Sequence, residues 1–107
     1  MANIEKDFIH MVLFWLKNPN STEDRQKFEA SIKNFTANSK YLKTAHVGTP
    51  IKATREVVDD SYTYSLLVTF DSEAEHDKYQ VEPAHIAFID ECKELWSRVQ
   101  IFDSEAI

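Results

Sequence analysis

Glycine is almost absent from this chain: Gly48 stands alone among 107 residues. Loops that cradle phosphate need several glycines for close backbone approach, so motifs of that kind are excluded. Cysteine is equally scarce. Cys92 alone cannot build an internal disulfide framework, and neither a Cys-x-x-Cys nor a His-x-x-x-His spacing occurs, so no metal set is expected. No serine sits in a glycine elbow, which removes a common hydrolase nucleophile. Long apolar runs are missing too. The stretch Phe8–Leu16 is too short for a bilayer and is broken by His10, so no membrane partner is expected. The first residues are mixed polar rather than basic, which suits a soluble, cytoplasmic protein.

Positive charge is also short where it would matter. The stretch from Asp71 to Glu94 holds eight acids against Lys78 and Lys93, and it carries the whole net charge of −6. Nucleic-acid binding needs a basic footprint, so no nucleic-acid partner is expected, and anionic substrates are disfavoured. The acids read as the solvated faces of two helices. At this length the chain is a single domain, residues 1–107, and so small a core needs dense packing or oligomerisation to be stable.

What is present is a succession of short periodic segments. Phe8–Leu16 is a strand whose two alternating faces are both apolar: Phe8, His10, Val12, Phe14 and Leu16 on one side, Ile9, Met11, Leu13 and Trp15 on the other. Ser21 or Thr22 caps a helix whose buried stripe is Phe28, Ile32 and Phe35, and Asn38–Ser39 ends it. A strand from Leu42 to Val47 runs into Gly48. Residues 49–61 are polar and irregular, with a short strand extension at Ile51–Ala53. Tyr62–Phe70 is a third strand. Ser72 and Glu75 form a capping box for a second helix, and Pro83 interrupts it and starts a third. That helix has His85, Phe88, Ile89, Cys92 and Leu95 or Trp96 on its apolar stripe. Arg98–Phe102 is the last strand.

This order gives an α+β, ferredoxin-like βαββαβ fold: a four-stranded antiparallel sheet with helices on one face. The helices leave the second face of the first strand uncovered. The economical partner is a second copy, sheet on sheet, in a dimeric α+β barrel.

Three side chains carry the chemical interest. Titratable groups aimed at apolar surface are costly unless paired or used. His85 enters a helix two residues after Pro83, where the positive helix end favours a neutral ring, the form a general base needs. Glu82 and Asp90 push the other way. A buried histidine satisfied by a carbonyl fits the same residue. His10 interrupts the most apolar strand and reads equally as a core histidine or a cavity group. Tyr79, six residues before His85, reads as a core ring with its hydroxyl at a rim. His46 and His76 carry no comparable signal, and Cys92 reads as an inert buried thiol.

The strand His10-Met-Val-Leu-Phe-Trp-Leu-Lys17, Gly48, the strand Tyr64–Phe70 running into Asp71-Ser72, the element Tyr79-x-x-x-Pro83-x-His85-x-x-Phe88 and the closing Ile101-Phe-Asp-Ser104 together resemble the stress-responsive A/B barrel domain family. The resemblance spans about residues 7–104 and implies a dimeric α+β barrel. Within that family the chain is similar to a plant polyketide cyclase. That similarity implies catalytic roles for His85 as general base, Tyr79 as carbonyl partner and His10 as their support. The functional expectation is a small-molecule pocket lined by His10, Tyr79 and His85, with no cofactor or metal. It would take a small apolar or carbonyl-containing ligand. The alternatives are a non-enzymatic structural or stress-related homodimer, a cyclase-like lyase, or a haem or oxygenase-type barrel.

Overall fold

The first strand sets the architecture. β1 (Phe8–Leu16) alternates strictly between buried and half-exposed residues, with Phe8, His10, Val12, Phe14 and Leu16 all turned inward. This computed structural model describes all 107 residues. It continues through α1 (Thr22–Asn38), β2 (Thr44–Gly48), β3 (Tyr64–Phe70), α2 (Glu73–Val81), α3 (Pro83–Cys92) and β4 (Trp96–Ser104). The sheet order is β2-β3-β1-β4, antiparallel at every pairing. This is the ferredoxin-like arrangement, with its second helix broken in two.

Local chemistry explains the boundaries. The Ser21 hydroxyl, rather than Thr22, caps α1 by accepting from the Asp24 N–H at 3.1 Å. Ser72 does the same for α2 from Glu75. Pro83 stands at the first position of α3, where its missing N–H removes nothing from the helix. β3 starts at Tyr64 rather than Tyr62. Thr63 is instead used to tie the loop to β1, its N–H donating to the Phe14 carbonyl at 2.8 Å and its hydroxyl accepting from the Leu16 N–H at 3.0 Å.

Three further expectations are corrected. No strand forms at Ile51–Ala53. That segment lies in an irregular loop, where the Asp60 carboxylate accepts from the Ala53 N–H at 2.8 Å. β2 starts at Thr44 rather than Leu42, and Leu42 packs against the core instead. β4 is longer than Arg98–Phe102, because β1 pairs with it from Ile9 to Leu16. Trp96 is therefore a strand residue beyond α3, its ring 5.2 Å from that of Phe14.

The core lies between the sheet and the helices. Phe28 stacks on Tyr64 at 4.5 Å, and Phe35 stacks on Phe88 at 5.3 Å. Register decides what meets across the sheet. On the inner face His10 lies directly between Val68 and Asp103. On the outer face His46, Leu67, Met11 and Phe102 form one cross-strand row. No helix is long and apolar enough to cross a membrane.

Candidate active site

His10, Tyr79 and His85 come together from β1, α2 and α3. The His10 and Tyr79 rings are 5.6 Å apart, and those of Tyr79 and His85 are 4.4 Å apart. All three line one cavity of about 140 Å³, whose other walls are apolar apart from Gln80 and include Val12, Leu66, Phe88 and Val99. The ambiguity over His10 is resolved: its face of β1 points to the helices, and its side chain is almost fully buried.

The hydrogen bonds fix what each ring offers. His85 donates from Nδ1 to the Gln80 carbonyl at 3.0 Å, which leaves Nε2 as a bare lone pair. His10 binds Asp103 through its own Nδ1 at 2.5 Å, which again leaves Nε2. Tyr79 is buried, and its side chain lines the same cavity. Two imidazoles, each with Nδ1 committed, and one phenol thus line the same largely apolar cavity.

Burial favours the neutral form of both rings. Burial lowers the pKa of His85 below the ordinary value, outweighing the opposing pull of the Gln80 carbonyl and of Glu82. Burial likewise lowers that of His10 despite the hydrogen bond and charge of Asp103, with His76 and His85 adding to the downward push. For Tyr79, burial and then the charges of Glu82 and Asp103 push the pKa up, so it stays a proton donor. Burial also raises the Cys92 thiol, consistent with an inert core residue.

Three functional neighbours were not evident in the sequence. Asp103 lies in β4, 93 residues from His10, and only the strand register brings the two together. His76, in an acidic helix, carries no signal of its own in the sequence. It is in fact buried against Phe8, Phe70 and His10, its ring 4.9 Å from that of His10. Its spacing of three residues from Tyr79 was the available signal, since i and i+3 share a helix face. Glu82, in the acidic stretch, reads from the sequence as a solvated acid. It is buried, accepting from the Ser39 hydroxyl at 2.5 Å and from the Lys40 N–H at 3.0 Å. A larger depression, about 640 Å³, lies over Lys40, Tyr41, Lys78 and Pro83, but it is open and contains none of the three candidate groups.

The fold and the cavity together define a class: a ferredoxin-like α+β domain with a histidine- and tyrosine-lined cavity between sheet and helices. The chain belongs to the Stress responsive A/B Barrel Domain family, which it matches over residues 8–106. Olivetolic acid cyclase from Cannabis sativa is 24% identical over 94 residues, covering 88% of this chain and 91% of the cyclase. Among solved structures, the hydroxynitrile lyase from Passiflora edulis superimposes with a TM-score of 0.78 at 20% identity, covering 95% of this chain and 94% of the lyase. A dimeric ferredoxin-like protein of unknown function from Bacteroides fragilis gives 0.74 at 20% identity, covering 96% and 99%. These likenesses establish the fold, and the named activities in the family differ from one relative to another.

Proposed function

We propose that this protein binds a small carbonyl-containing molecule in the cavity and moves a proton beside its carbonyl group, the chemistry of a lyase or cyclase. One observation carries the reading. His85 and His10 each commit Nδ1 elsewhere and leave Nε2 free, and both line one largely apolar cavity with the Tyr79 side chain. A structural dimer with no ligand predicts the opposite: histidines satisfied at both nitrogens and no space between helix and sheet.

The roles follow from the geometry. Neutral His85 takes the proton through Nε2, with Nδ1–H steadied by the Gln80 carbonyl. Tyr79 donates its hydroxyl hydrogen bond to the oxygen on which charge develops, in a cavity where little water weakens that bond. His10 stands beside Tyr79, and the Asp103 carboxylate stabilises its ring whenever it carries the transferred proton. A volume of about 140 Å³ is below the ~300–1,000 Å³ of drug-sized sites, so the ligand is small. The cyclase and the lyase among its relatives carry names compatible with such chemistry.

The test is turnover of a panel of small hydroxynitriles and of linear diketones able to close by aldol reaction. His85→Ala is expected to lose ~10²–10⁴-fold in kcat with the fold intact, the usual range for a general base. Tyr79→Phe is expected to lose activity while still binding ligand. Ligand binding with no turnover across the panel would reduce the site to a carrier, and unchanged kcat in His85→Ala would remove its role as base.

The same reading includes a homodimer. The outer face of the sheet carries Met11, Leu13, Trp15 and Leu67 with no helix over it, and a second copy placed there closes the barrel. The Bacteroides fragilis neighbour is described as dimeric.

A further inference from the structure

His10 and its partner Asp103 also belong to a second cluster, which His76 completes. His10 on β1, His76 on α2 and Asp103 on β4 each offer one ligand atom, and these atoms all lie within 4.8 Å of one another. Both histidines are at least nine-tenths buried, whereas Asp103 is partly open to solvent. His76 Nδ1 is buried with no hydrogen-bond partner, and the Asp77 carboxylate at 3.4 Å is a charge contact rather than a bond. A buried imidazole nitrogen left unpaired is costly and calls for a partner.

Just outside lies a cleft of about 290 Å³ lined by Glu73, His76, Asp77, Asp103 and Glu105, and no lysine or arginine faces it. Four carboxylates around one entrance raise the local concentration of cations.

We propose that His10, His76 and Asp103 form a binding site for a divalent transition-metal ion of the zinc type, entered from this acidic cleft. Two imidazoles and one carboxylate suit zinc, cobalt or iron(II) better than magnesium or calcium, which prefer all-oxygen sets. Metal–nitrogen and metal–oxygen bonds of about 2.0–2.2 Å place tetrahedral ligands roughly 3.4 Å apart, so the cluster needs about an ångström of closure. The His10–Asp103 pair, now 2.5 Å apart, widens as the ion replaces the proton between them. The neutral His10 ring then carries its proton on Nε2 instead of Nδ1. Its cavity-facing nitrogen changes from acceptor to donor, so metal uptake and the acid–base character of the cavity are coupled. The site itself does not rest on the proposed catalysis, since its ligands are in place whether or not the cavity turns anything over.

The experiment uses tag-free full-length protein, cleared with chelator and titrated with Co²⁺ and then Zn²⁺. Calorimetry and the visible absorption of bound cobalt are the readouts. One ion per chain is expected, with cobalt bands of low-symmetry coordination that zinc displaces. His76→Ala and Asp103→Ala are each expected to weaken binding by more than ~10-fold, because losing a ligand exceeds the loss of a supporting contact. His46→Ala, outside the cluster, is expected to bind like wild type. Should His76→Ala fail to fold, Asp103→Ala decides alone, its side chain being partly exposed. Absence of saturable uptake, binding that survives both ligand substitutions, or binding lost in His46→Ala would each overturn the proposal.

Discussion

Glu82 shows how much a single residue can hide in a sequence. It stands in an acidic stretch and looks solvated, yet its carboxylate reaches across to Ser39 and Lys40 at the end of α1. It is both the C-cap of α2 and the N-cap of α3, with an extended backbone at φ −71° and ψ 148°. Its side chain does not cap α3, because it is committed to α1. The bend that aims His85 back at Tyr79 is therefore anchored by one buried carboxylate. Glu82→Ala is expected to lower unfolding free energy by about 2–3 kcal/mol, since a buried charge-assisted pair is lost and the Ser39 hydroxyl and Lys40 N–H are left unsatisfied. Denaturant unfolding checks this, and an effect below ~0.5 kcal/mol would assign the bend to Pro83 alone. His10, Tyr79 and His85 were legible because titratable or polar groups on apolar stripes stand out. Asp103, His76 and Glu82 were not, since their meaning depends on partners 93, 66 and 43 residues away.

The two neutral histidines also set a pH dependence. Burial holds the folded pKa of His10 and of His85 below the unfolded value of 6.5. Asp103, His76 and His85 face His10, and Glu82 and His76 face His85. Below 6.5 the unfolded chain takes up protons that the folded chain resists, so stability rises with pH through this window. The contribution is full above about pH 6.5 and is lost as pH falls through the folded values. Thermal unfolding followed from pH 7.5 to pH 5 is expected to show a falling Tm, with a shallower fall in His85→Ala. Equal slopes for both proteins would show that His85 is not among the groups responsible.

At the scale of elements, the capping signals were the most readable. Ser21, Ser72 and Pro83 each act within four residues, so their effect needs no tertiary partner. Ser21→Ala is expected to destabilise by ~1 kcal/mol, read in the same denaturant titration. Strand ends were less readable, because a strand extends as far as its neighbour pairs with it. β4 runs to Ser104 because β1 offers Ile9 and His10 as partners, and that extension is what delivers Asp103 to His10. Ile51–Ala53 has an acceptable strand composition but no neighbour to pair with, and it stays a loop. The break between α2 and α3 follows the same logic in reverse. A proline written into the sequence ends one helix, and a tertiary contact through Glu82 then decides the angle of the next.

For the whole molecule, the accessible surface is 7355 Å², whereas a compact monomer of 12.4 kDa has about 6,100 Å². Part of the excess belongs to residues 1–6 and to the loop after β2. The outer sheet face supplies more, with the row His46, Leu67, Met11 and Phe102 running across all four strands, and Phe102 is 56% exposed. A standard protein–protein interface removes about 800 Å² from each partner, so the outer face needs to supply only part of this excess of about 1,200 Å². If a second copy covers this face, a charge placed at its centre must be buried unpaired on dimerisation, which is strongly unfavourable. Met11→Asp and Leu67→Asp are each expected to shift sedimentation from dimer to monomer at micromolar concentration. Ile86→Asp, on the exposed side of α3, is expected to leave the dimer intact. A wild-type chain that sediments as a monomer at every concentration would remove the dimer and leave the outer face to another partner. Loss of the dimer in Ile86→Asp alone would move the interface to the helices, where it would sit over the cavity rather than behind it.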